Sequence, residues 1–235
     1  MQFQTPLIEA RLIRRYKRFL ADVRLPDGRE VTAHCANPGA MTGLMDAGAR
    51  VWLERNDNPA RKLRFSWKLV ELPAGDLACV DTALPNDLVA QALEQGAIDG
   101  LKGYDSIRRE VRYGVNSRID FLLRANGRRD TYVEVKAVTL SRQPGLAEFP
   151  DTTTERGAKH LRELCAMAAD GHRAVMLYLV QRTDCVRFSI ARDIDPVYAE
   201  TFQSANSAGV ESLCFRSDVT IGEIRLASAV EIMGL

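Results

Sequence analysis

Three ionisable side chains stand where strands normally carry Val or Ile. Asp120 lies in the apolar run Ser117–Arg124, and Glu134 and Lys136 lie in Thr131–Val138. A lone buried charge is costly unless it is paired or meets a metal. Residues two apart on a strand share a face, so Glu134 and Lys136 point the same way. Asp120 and Glu134 converging on one spot would make an oxygen-rich site for a hard cation such as Mg²⁺ or Mn²⁺. A lysine beside that site can stabilise developing negative charge or help deprotonate water.

The turn between the two runs decides whether they converge. Ala125-Asn126-Gly127-Arg128 carries the Asn-Gly pair that favours tight hairpins. A two-residue loop Asn126-Gly127 places Asp120 opposite Val133, on the wrong face for Glu134. A three-residue loop ending at Gly127 places Asp120 opposite Tyr132, and all three groups then share a face. The metal site therefore requires an odd-length loop or a bulge. A surface strand with a plain Glu134–Lys136 ion pair satisfies the same spacing.

The elements that must position these groups fall into two parts. The first 83 residues read as short strands: Leu7–Arg14, Arg18–Leu25, Arg29–Cys35, Val51–Glu54, Leu63–Leu72 and Leu77–Thr82. Phe19, Ala21, Val23 and Leu25 alternate on one face. This pattern predicts a small closed β-barrel over residues 1–83. Residues 84–235 change character. Asn86 is placed to cap a helix over about 87–98, strands follow at 106–113, 117–124 and 131–140, and Thr152 and Glu155 have capping-box spacing. In the helix they open, Ala158, Leu161, Leu164, Cys165 and Ala168 form an apolar stripe, with Arg156, Lys159, His160 and Glu163 opposite. Ala174–Val180 is a buried strand reached by a helical crossover, Pro196–Ser207 a helix, and Glu223–Ile232 an edge strand. The second part is thus a mixed-sheet α/β domain.

A chain of 235 residues holds one or two domains with a full core. No apolar run approaches the ~20 residues of a membrane span, so no membrane association is expected. Met1–Pro6 has no basic region followed by an apolar stretch, so no secretory signal is expected. Five scattered cysteines and three histidines form no zinc pattern, and reduced thiols in the cytoplasm are the simplest reading. A net charge of +1 excludes a globally basic nucleic-acid binder. Local basic groups (Arg11, Arg14, Arg15, Lys17, Arg18; Arg108, Arg109, Arg112; Arg124, Arg128, Arg129) still favour a polyanion partner.

Helix, three strands, helix, strand, with Asp120 on the second strand and Glu134-Val135-Lys136 on the third, resembles the core of the PD-(D/E)xK nuclease superfamily. Tyr132–Leu140, Phe149–Leu161, Val180-Gln181-Arg182 and His34–Met41 are similar to the sugar fermentation stimulation protein A family, and the likeness covers essentially the whole chain. That resemblance implies an OB-like barrel followed by a nuclease-like domain, DNA as partner, and a link to maltose and other sugar metabolism. It makes Asp120, Glu134 and the Val135 carbonyl the metal ligands, with Asp120, Glu134 and Lys136 catalytic. It also implies DNA contacts from Arg15, Lys17, Arg18, Arg118, Arg156 and His160.

Several further readings accompany the resemblance. Glu94 is a candidate third carboxylate, and His34 a structural residue of the barrel. Phe19, Trp52, Phe65 and Trp67 are either core or base-stacking. Two functions fit: a metal-dependent endonuclease, or a non-catalytic DNA-binding regulator using the same cleft. Without a helix-turn-helix or zinc finger, binding should be mostly to backbone and weakly sequence-specific. A sugar-processing role has only the family's name behind it. A homodimer is admitted, though no residue argues for it.

Overall fold

The computed structural model describes residues 1–234. Alternating apolar residues build β1 (Ile8–Tyr16), β2 (Leu20–Arg24), β3 (Glu30–Cys35), β4 (Arg50–Arg55), β5 (Phe65–Glu71) and β6 (Leu77–Cys79). The order β3-β2-β1-β4-β5 closes through a β3–β5 pairing, and β6 extends β5. This is a closed OB-like barrel. Ala21, Val23, Ala33, Leu53 and Trp67 fill it without exposure to solvent, and closure removes the unpaired strand edges. Phe19 departs from the expected alternation. Lys17 and Arg18 take left-handed backbone angles (φ 48° and 64°), β2 begins only at Leu20, and Phe19 is turned outward, 42% exposed.

One polar cluster is buried at the base of the barrel. Lys68 Nζ lies 2.5 Å from Asp81 Oδ2 and 3.1 Å from Glu54 Oε2. Asp81 also accepts the Ala83 N–H at 3.0 Å. The triad therefore ties β5 to the segment that enters the second module.

That module contains α1 (Leu84–Glu94), β7 (Ser106–Tyr113), β8 (Ser117–Arg124), β9 (Thr131–Val138), β10 (Leu140–Gln143), β11 (Gly145–Phe149), α2 (Glu155–Ala169), β12 (Arg173–Val180), β13 (Cys185–Ile190), α3 (Pro196–Ser207), β14 (Glu211–Val219), β15 (Ile224–Ala229) and β16 (Glu231–Ile232). Its main sheet has the order β15-β14-β12-β9-β8-β7, with β12 parallel to both β9 and β14. The parallel β9–β12 pair is the one a helical crossover demands. A smaller sheet, β10-β11-β13-β16, was not legible in the sequence, and neither was β14. Helices α2 and α3 cover one face of the main sheet, with Leu161, Leu164 and Phe202 against Met176 and Tyr178. The other face packs Phe121, Val133, Val135 and Leu177 against Leu88 and Val89 of α1 and against Trp52 and Leu69 of the barrel.

Both helix starts differ from the expected caps. Pro85 stands in the first turn of α1, so Asn86 is inside the helix and its side chain caps nothing. Thr154, not Thr152, caps α2 by accepting the Gly157 N–H. Asp195, the cap of α3, also accepts the Thr154 N–H at 2.7 Å and pins the two helix starts together.

The barrel and the second module share backbone hydrogen bonds as well as a core. Cys79 N–H donates to Gln181 O (2.8 Å), and Thr183 N–H donates to Leu77 O (3.0 Å). On the far side, Asp151 accepts the Met41 N–H at 3.2 Å. A Cβ on Gly39 would run into the Asp151 carboxylate, so a larger residue there would displace Asp151 from this contact. Lys68→Met should strand Glu54 and Asp81 as buried unpaired carboxylates, at a cost of about 3–5 kcal/mol. Urea unfolding of the two proteins measures the difference, and equal midpoints would refute it.

Candidate active site

The hairpin has the parity that the site requires, in a different register. Phe121 faces Val133, Leu122 faces Tyr132 and Leu123 faces Thr131. Continued one step, the register sets Asp120 opposite Glu134 rather than Tyr132. In the other direction Arg124 comes opposite Asp130 and meets it at 2.9 Å. The tight part of the turn runs from Ala125 to Arg128, whose N–H returns to Ala125 O, so Gly127 lies within the turn instead of ending it. Opposed residues point the same way, and Asp120, Glu134 and Lys136 share a face.

The ladder between β8 and β9 stops at Phe121–Val133. There Asp120 replaces a backbone partner: its Oδ2 accepts the Val135 N–H at 2.7 Å, and its Oδ1 accepts Asn86 Nδ2 at 2.8 Å. Glu134 is only 3% exposed, which rules out a surface ion pair. Its Oε1 accepts Lys136 Nζ at 2.7 Å and also meets His160 Nδ1. Arg156 Nε lies 3.3 Å from His160 Nε2. Arginine only donates, so Nε2 accepts, and Nδ1 faces both Glu134 Oε1 and, at 3.3 Å, Lys136 Nζ. Glu134 Oε2 is buried with no partner.

Burial, and then the Glu134 charge, push the Asp120 carboxyl up to about 6, against the Val135 N–H, Lys136 and Asn86. Burial also raises Glu134, but Lys136 and His160 outweigh it and hold that carboxyl below its ordinary range. The shared face thus carries two opposed carboxylates and one ammonium. The orphaned Oε2, and the second lone pair on each Asp120 oxygen, fit a hard divalent cation. Among the described residues no three His, Cys, Asp or Glu side chains form a complete cage. Mg²⁺ does not need one, since it takes one or two carboxylates and completes its shell with water and substrate oxygens.

The other expected residues divide. Arg156 and His160 belong to the site. Arg15 and Arg18 line a cleft of about 670 Å³ between barrel and second module, with Ala137, Thr139 and Thr152 on its other wall. Arg15 spends its guanidinium on the carbonyls of Asn37 (2.7 Å) and Gly39 (3.1 Å), so it shapes that wall. Lys17 is exposed beside Arg18. Arg118 is exposed two residues from Asp120, at the rim of a separate hollow with Arg112 and Tyr113. Arg14, Arg109 and Arg124 are paired with Asp22, Asp87 and Asp130. Glu94 is exposed at the far end of α1 from Asn86 and does not join the carboxylates. Trp52 and Trp67 are core. His34 is exposed and stacked on Phe19, not a satisfied barrel residue.

Asn86 is the residue that sequence reasoning misassigned. The signal was Pro85, which belongs at a helix's first position and so moves Asn86 past the cap. Asn86→Ala should leave the fold intact and weaken Ca²⁺ or Mg²⁺ binding by about 10–100-fold, because Asp120 loses the donor that orients it. Calorimetric titration reads this directly, and unchanged affinity would remove Asp120 from the ligand set.

Residues 13–80 match the SfsA N-terminal OB domain, and residues 83–223 match the sugar fermentation stimulation protein RE domain. A sugar fermentation stimulation protein homolog of Ruegeria pomeroyi is 60% identical over 227 residues, 97% of this chain and 99% of that one. A homolog of Roseobacter denitrificans is 58% identical over 233 residues, 99% of each. The structure of Pyrococcus furiosus SfsA in complex with Ca²⁺ superposes with a TM-score of 0.89 at 29% identity, covering 99% of this chain and 97% of the other. The chain belongs to the sugar fermentation stimulation protein A family.

Proposed function

We propose that this protein is a divalent-metal-dependent endonuclease that grips DNA by its backbone and hydrolyses phosphodiesters. The observation that carries the reading is the half-buried Asp120 set against the buried Glu134 on the neighbouring strand, with a free Glu134 oxygen and Lys136 Nζ 2.7 Å from the other. The Ca²⁺ in the Pyrococcus furiosus relative supports a divalent cation here, for which Mg²⁺ or Mn²⁺ is the proposed catalytic choice. Asp120, Glu134 and the Val135 carbonyl would hold it. When bound, such an ion polarises a phosphoryl oxygen and lowers the pKa of a water.

The chain's own groups do the rest. Lys136, oriented by Glu134, donates toward the oxygens on which charge builds. His160, held by Arg156, keeps Glu134 aimed with its second oxygen free. Arg18 and the Thr152–Thr154 segment offer donors to phosphates entering the cleft. The five thiols are unpaired, and a reducing cytoplasm is the proposed compartment.

A second reading is a DNA-binding regulator of sugar (maltose) metabolism that uses the same cleft without turnover. The relatives' names favour it, as does the pairing of both Asp120 oxygens.

One assay separates the two readings: plasmid, single-stranded DNA and RNA incubated with Mg²⁺ or Mn²⁺. Glu134→Gln should abolish cleavage while keeping or improving DNA binding, because a hard ligand and a phosphate-repelling charge are lost together. Lys136→Ala should also stop cleavage but leave metal affinity intact or raised. Parent-like cleavage by both variants, or no metal-stimulated cleavage by the parent, would leave the regulator as the better account. Affinity for duplex DNA should fall with salt by roughly 0.9 log unit per tenfold salt for each phosphate neutralised. A flat response, or strong preference for one site over scrambled competitors, would contradict backbone binding.

A further inference from the structure

Among the described residues, Phe19 is the one aromatic in the set of exposed large hydrophobics. The others are Val115, Val186, Val197, Ile221 and Met233. Its ring stacks on His34, also exposed, with centroids 6.4 Å apart and planes inclined by 27°. The two rings present a π surface on the outside of the barrel, where the core gains nothing from them.

The backbone is held in an unfavourable form to present that surface. Lys17 and Arg18 are consecutive non-glycine residues at positive φ, a conformation that L side chains disfavour. The turn is locked by Phe19 N–H to Lys17 O (2.7 Å) and by Arg15 Nε to Arg18 O (3.1 Å). Glycine would serve a bare turn better. What the actual residues add is two exposed cations beside an exposed aromatic pair. Neither Lys17 nor Arg18 is joined to a carboxylate among the described residues. Arg18 also lines the cleft whose other wall includes Ala137, the residue after Lys136.

Planar π faces flanked by unpaired cations match a polyanion that carries planar bases. In a duplex, each base has both faces covered by its neighbours. Only an unpaired base can lie on Phe19. We propose that Phe19 and His34 form a base-stacking platform for single-stranded DNA, with Lys17 and Arg18 on its phosphates. The strand runs from this platform past Arg18 into the cleft, toward Thr152 and Thr154 on its far wall. The inference rests on the nucleic-acid reading above and narrows it: the preferred substrate is a single strand, or a duplex with an unpaired arm.

The test is fluorescence anisotropy in EDTA, so that nothing is cut, with labelled oligo-dT, a duplex of equal length and oligo-U. The parent should bind oligo-dT more tightly than the duplex or oligo-U. Phe19→Ala should lose about tenfold for oligo-dT, equivalent to about 1.4 kcal/mol, with duplex affinity unchanged. Phe19→Leu, which keeps an apolar side chain but no π face, should lose as much. Phe19→Trp should bind like the parent. Parent-like binding of oligo-dT by Phe19→Leu, or a parent preference for duplex or for oligo-U, would overturn the platform. Metal-stimulated cutting of duplex in a parallel assay would then leave the nuclease reading standing. Absence of binding to all three probes together with absence of cutting would sink both.

Discussion

Two carboxylates facing each other across neighbouring strands are the constraint around which the second module is built. Burial first, and then repulsion by the Glu134 charge, raise the Asp120 carboxyl. Each surrounding group answers that repulsion. The Val135 N–H and Asn86 hold Asp120, while Lys136 and His160 hold Glu134. The balance is incomplete, because one Glu134 oxygen has no partner. An interior built for stability alone would replace such a cluster with apolar side chains at little or no cost. A buried carboxylate oxygen left without a donor is instead the kind of atom a hard cation would engage.

The remaining elements hold that cluster in place. Strand β9 pairs with antiparallel β8 as far as Val133, and parallel β12 continues alongside Glu134 and Lys136, opposite Met176 and Tyr178. Helix α2 carries Arg156 and His160, and Asp195 fixes its start through Thr154. The barrel is attached by a shared core on one side and by the Gly39–Asp151 approach on the other. The cleft therefore has walls from both modules, and its shape depends on their joint packing.

Much of this was legible in the sequence because it is local. Strand alternation gave β7, β8 and β9 nearly to the residue, and an even–odd argument showed that only an odd-length loop or a bulge would bring Asp120, Glu134 and Lys136 together. What failed was non-local or depended on backbone angle. The hairpin's register moved by two residues because Gly127 sits inside the turn. The sheet β10-β11-β13-β16 is built from segments of two to six residues, too short for a periodicity to announce them. Phe19 fits an inward alternation that two left-handed residues then break. His160 and Glu163 look like a polar helix face, yet both are buried, because that face lies over the carboxylates and Tyr113 rather than in water.

The central claim is that Asp120 and Glu134 together hold a divalent ion. Anomalous diffraction at the manganese edge, from crystals of the parent protein equilibrated with Mn²⁺, tests it most directly. The account predicts one dominant peak in coordination contact with an oxygen of each carboxylate and absent in Glu134→Gln. A peak elsewhere, or none at Mn²⁺ concentrations that saturate binding in solution, would contradict it.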